Sequence, residues 1–287
     1  MDSLFGLRPM EPILKPAPNQ GPEFHFQVKW DGVRLLMERQ GDAIRLWNRK
    51  GRDRTKTYPE LVNWALAQLT EFFVLDGEVI SLGTNGKPQF RQVLRRDLAH
   101  RPRTDIPIVY VVFDCLSVRG TSLFDQGFEV RQEQLRQVVS QSGLVQVSDN
   151  FSDGNALYER MQELGMEGIV AKRAGSYYYP GEKRAEWQKV KCWRYITLDG
   201  LYLVTRDGRP ASVVVGERPD LSHPAGAVAT GIDKKDWVKL AACSASPEPH
   251  RPDWRALPPG IRFVIRYLEW TDTAMLRHPV VVRIEWP

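Results

Sequence analysis

An alternating run that closes on an Asp-Gly turn constrains this chain most: Phe24-His25-Phe26-Gln27-Val28-Lys29-Trp30-Asp31-Gly32. Apolar residues at Phe24, Phe26, Val28 and Trp30 alternate with His25, Gln27, Lys29 and Asp31, the pattern of a strand buried on one face. The pleat then sets Gln27, Lys29 and Asp31 on the opposite side, with Gly32 opening a turn and Arg34 just beyond it. The result is an amine flanked by hydrogen-bonding groups. Taken alone, Lys-x-Asp-Gly is explained equally well by a solvated strand face carrying a Lys-Asp pair.

The rest of the 287-residue sequence narrows the choice. Its length predicts two domains, and 26% charged with 42% hydrophobic residues is ordinary globular composition. The 40 Lys and Arg outnumber the 35 Asp and Glu, which mildly favours a polyanionic partner. Cys115, Cys192 and Cys243 lie far apart with no Cys-x-x-Cys pair, so neither a disulfide framework nor a zinc site is indicated, and a reducing cytoplasm fits. Met1-Asp2-Ser3-Leu4-Phe5 lacks a basic segment followed by an apolar run, and no apolar stretch approaches the ~18 residues of a membrane span. An unexported, membrane-free protein is expected.

Along the chain, Pro9, Pro12, Pro16, Pro18 and Pro22 predict an extended surface arm before the first strand. A second strand is expected near Ala43 to Trp47, ending in the basic turn Asn48-Arg49-Lys50-Gly51-Arg52-Asp53-Arg54. Thr57 and Pro59, followed by Leu61, Trp64, Ala65 and Leu69, predict a capped amphipathic helix. Further strands are read over Phe72 to Ser81 and Ile108 to Phe113, the latter apolar on both faces and ended by Asp114. Helices are expected near Phe90 to Arg96, Glu129 to Ser140 and Asn155 to Leu164, before Glu167 to Arg173 and, past Pro180-Gly181, Trp187 to Lys191. After Arg194 the pattern becomes short strands with close turns, one helix near Lys234 to Ala241 and a proline-rich loop from Pro247 to Pro259. Strands at Ile261 to Leu268 and Val280 to Trp286 complete a compact barrel of the oligonucleotide-binding type.

The strand ends of the first part thus collect Lys29, Arg34, Arg49, Glu78, Phe113, Glu167, Lys189 and Lys191. Lys189 and Lys191 share a face in an ideal strand. Singly each has a bland explanation as a surface ion pair, a core aromatic or a solvated edge.

Together, and in this order, they resemble the covalent nucleotidyltransferases, which comprise ATP-dependent DNA ligases, RNA ligases and mRNA capping enzymes. Lys29-Trp30-Asp31-Gly32-Val33-Arg34 is similar to the family's nucleophile motif, and Arg49-Lys50-Gly51 to the turn that follows it. Asp76-Gly77-Glu78, Val111-Val112-Phe113-Asp114, Glu167-Gly168-Ile169-Val170-Ala171-Lys172 and Lys189-Val190-Lys191 resemble the next four motifs. Tyr179-Pro180-Gly181, Thr230-Gly231, Glu269-Trp270-Thr271 and Leu276-Arg277-His278-Pro279 point within that family to the ligase domain of bacterial end-joining DNA ligases.

The resemblance implies an α+β fold: an ATP-grasp-like nucleotidyltransferase domain of antiparallel sheets with helices over residues 1–194, then an OB-fold barrel over 195–287. It implies attack of the Lys29 amine on the α-phosphorus of ATP, transfer of AMP to a 5′-phosphate, and attack by a 3′-hydroxyl to seal the nick. Only a neutral amine attacks, so Lys189, Lys191 and a bound Mg²⁺ (or Mn²⁺) are the expected cations around it. Glu78 and Glu167 are the implied metal-binding carboxylates. Glu78 is also read as a ribose contact, Phe113 as the adenine stack, Arg34 as a ribose-side contact and Arg49 as the holder of the 5′-phosphate. Gln27 and Val28 complete the nucleotide site. The implied partners are nicked or broken duplex DNA and the bacterial Ku end-binding protein, with the ligase a monomer. An RNA-end repair enzyme and a non-catalytic nucleic-acid-binding relative are the alternatives.

The pattern departs from the family in two places. The position two before the nucleophile, often Glu in this branch where it accepts from the adenine amino group, is Gln27, whose carbonyl oxygen can still accept. The family's final Arg-x-Asp-Lys, which orients pyrophosphate, is represented by Arg283-Ile284-Glu285-Trp286, without the lysine. The extra DNA-binding, polymerase and nuclease segments of larger ligases are not expected in this chain.

Overall fold

Within the proline-rich arm, Glu11–Lys15 forms strand β1, and the alternating segment forms β2 (Phe24–Val28). The computed structural model describes residues 3–19, 21–68, 70–218, 223–271 and 273–287. Leu69, placed by its spacing on the first helix, and Met1 and Asp2 lie outside the described residues. The arm is therefore not wholly a surface strap: β1 pairs in parallel with a later strand, and Met10 is fully buried. Its prolines keep it at the sheet edge, and the register slips between Pro12 and Ile13.

The chain divides into two units, Met1–Cys192 and Trp193–Pro287. In the first, β3 (Val33–Gln40) and β4 (Ala43–Asn48) lead into α1 (Pro59–Leu66), β5 (Phe72–Ile80) and α2 (Phe90–Asp97). Next come β6 (Val109–Val118), β7 (Thr121–Ser122), α3 (Phe128–Val138), β8 (Val145–Val147), α4 (Gly154–Leu164), β9 (Gly168–Arg173) and β10 (Lys183–Lys191). One sheet has the order β1-β10-β9-β2 and the other β4-β3-β5-β6-β7, with β8 parallel to β6. Helix α4 covers the first sheet through Phe24, Phe26, Leu157, Met161, Ile169 and Val190. Helices α1 to α3 cover the second, where Leu61, Trp64, Val93 and Leu135 meet Leu35, Met37 and Leu75. A third apolar layer of Met10, Leu36, Trp47, Val74, Leu116, Tyr178 and Trp187 lies between the two sheets, and the site opens at its margin.

Several local readings need correction. Strand β3 escapes the alternation because it is buried on both faces: Leu35, Leu36 and Met37 have no exposure, and Arg39 is buried with its guanidinium on the carbonyls of Ala65 and Gln68. Asp114 does not end β6; it is fully buried mid-strand, neutralised by Arg131 of α3. Helix α1 starts after Tyr58 with Pro59 at its first position and no side-chain cap, so Thr57 is not the capping residue. Asp153 does cap α4, accepting from the Asn155 and Ala156 amides.

The second unit holds β11 (Arg194–Arg206), β12 (Arg209–Gly216), β13 (Gly226–Val228), α5 (Lys234–Cys243), β14 (Pro247–Glu248), β15 (Arg251–Ala256), β16 (Arg262–Tyr267) and β17 (Val280–Glu285). The expected loop from Pro247 to Pro259 is thus largely the β14–β15 hairpin, its prolines at the sheet edge. Long β11 pairs first with β16 and then with β15, while β12 runs along its second half. The strand registers give one seven-stranded sheet and do not close it into a barrel. A backbone bond, Val281 N–H to Thr230 O at 2.8 Å, ties β17 to the segment after β13. Among the described residues no helix is long and apolar enough to cross a membrane.

Candidate active site

The first sheet delivers two lysines to one carboxylate and sets a third beside them. Lys29 follows β2, and its amide continues the ladder onto Gly168 O at 2.9 Å. Its Nζ donates to Glu167 Oε2 at 2.6 Å, while Lys191 Nζ stands 3.6 Å from Glu167 Oε1. Glu167 immediately precedes β9, whose first residue must be small: a Cβ on Gly168, at φ +146°, would lie 2.0 Å from Val190 O. That close approach brings β10 alongside, with Lys189 opposite Val170 and Lys191 opposite Gly168. Burial, and then the charges of Lys29, Lys191 and Lys183, pull Lys189 below the ordinary lysine range. Three neighbouring lysines share one bonded carboxylate, Glu167, a basic balance that suits a bound phosphate.

Strand β5 of the second sheet adds Glu78. Burial pushes its carboxyl up to about 8; Lys29 and Arg34 oppose the rise, and Glu167 and Asp31 add to it. Among the described residues no group of three or more His, Cys, Asp or Glu side chains is gathered for a metal. Glu78 and Glu167 fit Mg²⁺ in the way that ion is usually held, by one or two carboxylates with water and phosphate completing the shell.

Deeper between the sheets, Arg34 lies on Asp76 through two bonds of 2.9 and 2.6 Å, and Tyr178 donates to the same carboxylate at 2.7 Å. Burial works against the Arg34 charge, but Asp76 and Tyr178 outweigh it and raise the guanidinium above its usual range. Arg34, expected on the ribose side, is therefore committed to Asp76, with its guanidinium carbon 5.3 Å from the Phe113 ring centre. Lys172 is buried among aromatic rings, its Nζ 4.1 Å from Trp187 and 4.4 Å from Phe113. It donates to Phe113 O at 3.0 Å, and burial lowers its amine to about 7.

Gln27 is 2% exposed and enters a chain of amides. Its Nε2 donates to Asn150 Oδ1 at 2.8 Å, Asn150 Nδ2 to Gln132 Oε1 at 3.0 Å, and Gln132 Nε2 to Phe113 O at 2.9 Å. The side chain of Val28 points the other way, into the cluster under α4, leaving its main chain to any ligand. Arg49 is exposed in the turn after β4, where Asn48 Oδ1 accepts from the Lys50 and Arg52 amides. Arg283 belongs to the second unit and pairs with Glu285 at 2.8 Å.

Of the expected residues, Lys29, Glu78, Glu167, Lys189 and Lys191 come together, with Gln27 and Phe113 beside them. Sequence reasoning passed over Gln132, Asn150 and Tyr178, and the roles of Asp76 and Lys172. Those two had signals: Asp76 lies in the Asp76-Gly77-Glu78 motif, and Lys172 shares strand parity with Val170 on the face of β9 that carries the site.

Residues 9–191 match the family model described as ATP dependent DNA ligase domain. The multifunctional non-homologous end joining DNA repair protein LigD of Mycobacterium tuberculosis is 30% identical over 274 residues, 89% of this chain and 35% of LigD. A DNA ligase of Thermococcus fumicolans is 33% identical over 186 residues, 60% of this chain and 33% of that enzyme. The chain thus spans about a third of the length of these curated relatives. A solved structure of mycobacterial DNA ligase D complexed with ATP and MES superimposes with a TM-score of 0.60 at 27% identity, covering 99% of this chain and 97% of that one. With the mixed α+β nucleotidyltransferase fold and the lysine-carboxylate cluster both present, the chain belongs to the ATP-dependent DNA ligase domain family.

Proposed function

We propose that this chain seals 5′-phosphate/3′-hydroxyl nicks or ends in duplex DNA, consuming ATP, in DNA repair by end joining. The observation that carries the reading is the pairing of Lys29 and Lys191 with Glu167, with Lys189 and Glu78 near enough to feel the charge of Lys29. Lys29 Nζ is the nucleophile: its bond to the α-phosphorus forms as the bond to pyrophosphate breaks, leaving AMP on the lysine. AMP then passes to the 5′-phosphate, and the 3′-hydroxyl displaces it as the phosphodiester forms. Lys189 and Lys191 bind the phosphoryl oxygens and oppose their developing charge. Glu78 and Glu167 would hold Mg²⁺, which supplies further charge neutralisation there when bound.

Residues 1–194 act as the adenylation domain, with Phe113 stacking on the base, Arg49 holding the 5′-phosphate and Arg283 contributing from residues 195–287. That second region is read as an OB-fold, supported by the Val281 to Thr230 bond across the open side of its sheet. Arg34 supports the base platform through Asp76 rather than touching ribose. A cytoplasmic monomer working beside Ku completes the proposal.

The test is incubation with ATP labelled at the α-phosphate, with and without Mg²⁺, followed by denaturing electrophoresis, after pyrophosphate has stripped any AMP already attached. Label that survives denaturation and is lost in Lys29→Ala supports the reading, and stripped protein that takes up none overturns it. Nicked DNA compared with nicked RNA, each with and without Ku, then separates DNA from RNA sealing and tests the partner.

A further inference from the structure

Gln27 lies on β2 opposite Val170, on the sheet face that also carries Lys29 two residues on. Unlike a carboxylate, an amide has a donor end and an acceptor end, and the two present opposite chemistry to a ligand. Which end faces the site is settled by neighbours. Phe113 O can only accept, so Gln132 must turn Nε2 to it at 2.9 Å, beside the Lys172 Nζ that shares the same carbonyl at 3.0 Å. Gln132 Oε1 is then the acceptor for Asn150 Nδ2 at 3.0 Å, which leaves Asn150 Oδ1 to accept from Gln27 Nε2 at 2.8 Å. Gln27 Nε2 also faces Gln132 Oε1 at 3.5 Å. The nitrogen of Gln27 is consumed by this chain of amides, and no described residue donates to its Oε1.

We infer that Gln132 and Asn150 are positioning residues for nucleobase choice: they lock Gln27 with its carbonyl oxygen toward the nucleotide, so that the site accepts from an exocyclic amine. Adenine offers that amine at C6, whereas guanine presents a carbonyl in the same place and meets oxygen with oxygen. A flipped Gln27 would reverse the preference. The inference rests on the proposed uptake of a purine nucleotide at Lys29, and concerns only how the base is read.

The test compares AMP and GMP binding by titration calorimetry, which needs no covalent step, in the wild type, Gln132→Met, Asn150→Leu and the double variant Gln132→Met/Gln27→Glu. Melting curves report whether each is folded. The wild type should favour AMP, and Gln132→Met should shrink the AMP to GMP ratio about tenfold by freeing the flip, as one hydrogen bond's worth of discrimination allows. Glu at position 27 accepts through either oxygen and needs no orienting partner, so the double variant should regain the preference. Asn150 is partly exposed in a loop, so Asn150→Leu tests the same wiring should Gln132→Met not fold. A ratio unchanged in the folded single variants, or no recovery in the double variant, overturns the inference alone. Failure of the wild type to bind AMP at all overturns it together with the proposed function.

Discussion

Glu167 holds Lys29 at 2.6 Å, and both side chains are largely withdrawn from solvent, with 10% and 21% exposure. The carboxylate therefore fixes where the amine points. Glu167→Gln keeps the shape but removes the charge that orients Lys29 and offsets Lys191. Adenylate labelling should fall by about 100-fold or more, the scale of losing one aligned electrostatic partner, with little change in melting temperature. Single-turnover labelling checks it; a loss under tenfold would contradict the role.

Glu78 sets a pH dependence. Its carboxyl, raised to about 8 by burial, stays protonated in the fold after the unfolded chain has released its proton near the ordinary 4.5. The folded state binds more protons over that window, so stability drains away as pH rises from about 4.5 to about 8. Glu78→Gln should remove this loss and be more stable than the wild type at pH 8 by on the order of 2–4 kcal/mol, with no gain near pH 4. Denaturant melts at both pH values measure it. Mg²⁺ titrated at pH 7 should release protons from the wild type and fewer from the variant.

Lys172 works in the opposite sense. Burial lowers its amine to about 7 from 10.5, so above pH 7 the folded chain binds fewer protons than the unfolded one. Stability contributed at this position rises with pH between about 7 and about 10.5. Lys172→Met should abolish that rise, making the variant's advantage over wild type largest near pH 7 and smallest near pH 10. A pH-independent difference in urea midpoints would refute it.

These two side chains also mark what the sequence discloses and what it hides. Lys29, Lys189 and Lys191 were legible because strand parity places them on one face, and Glu167 because the spacing of short motifs identifies it. Strand β3 was not, because Glu38 and Arg39 are buried and break the apolar pattern while being satisfied by Ser3, Leu4 and main-chain carbonyls from distant turns. Strand β1 was concealed by its prolines. Gln132 and Asn150 carry no periodic signal, since one sits on a helix and the other in a loop; α3 against β6 brings the first to Gln27, and the backbone bridge between Phe26 and Phe151 brings the second.

Arg131 and Asp114 are fully buried and joined by two bonds of 2.8 and 3.1 Å, while Arg131 also donates to Gln126 O and Ser176 O. Arg131→Leu leaves Asp114 charged and unpaired between the sheets. The cost should be about 3–5 kcal/mol, read from chemical denaturation, and Asp114→Asn in the same chain should recover part of it.

Gly168 admits no side chain. Gly168→Ala would set a Cβ against Val190 O and force β9 from β10, carrying Glu167 away from Lys191. Labelling should be abolished even at low temperature, where most of the chain remains folded by circular dichroism. Retained labelling would show that the β9–β10 contact does not position the site.

The pairing of β1 with β10 has a consequence for how the protein is made. Lys29 and Glu167 are separated by 138 residues, and Met10 reaches Tyr178 across 168. Such non-local closures come late, because the entropy of the intervening loop must be spent before the contact returns anything. At a synthesis rate of ~5–20 residues per second, a growing chain carries Lys29 for roughly ten to thirty seconds before β10 has been made. Until the last strand of the first unit has been made, the ribosome-bound chain lacks the lysines of β10 that the fold sets beside Lys29.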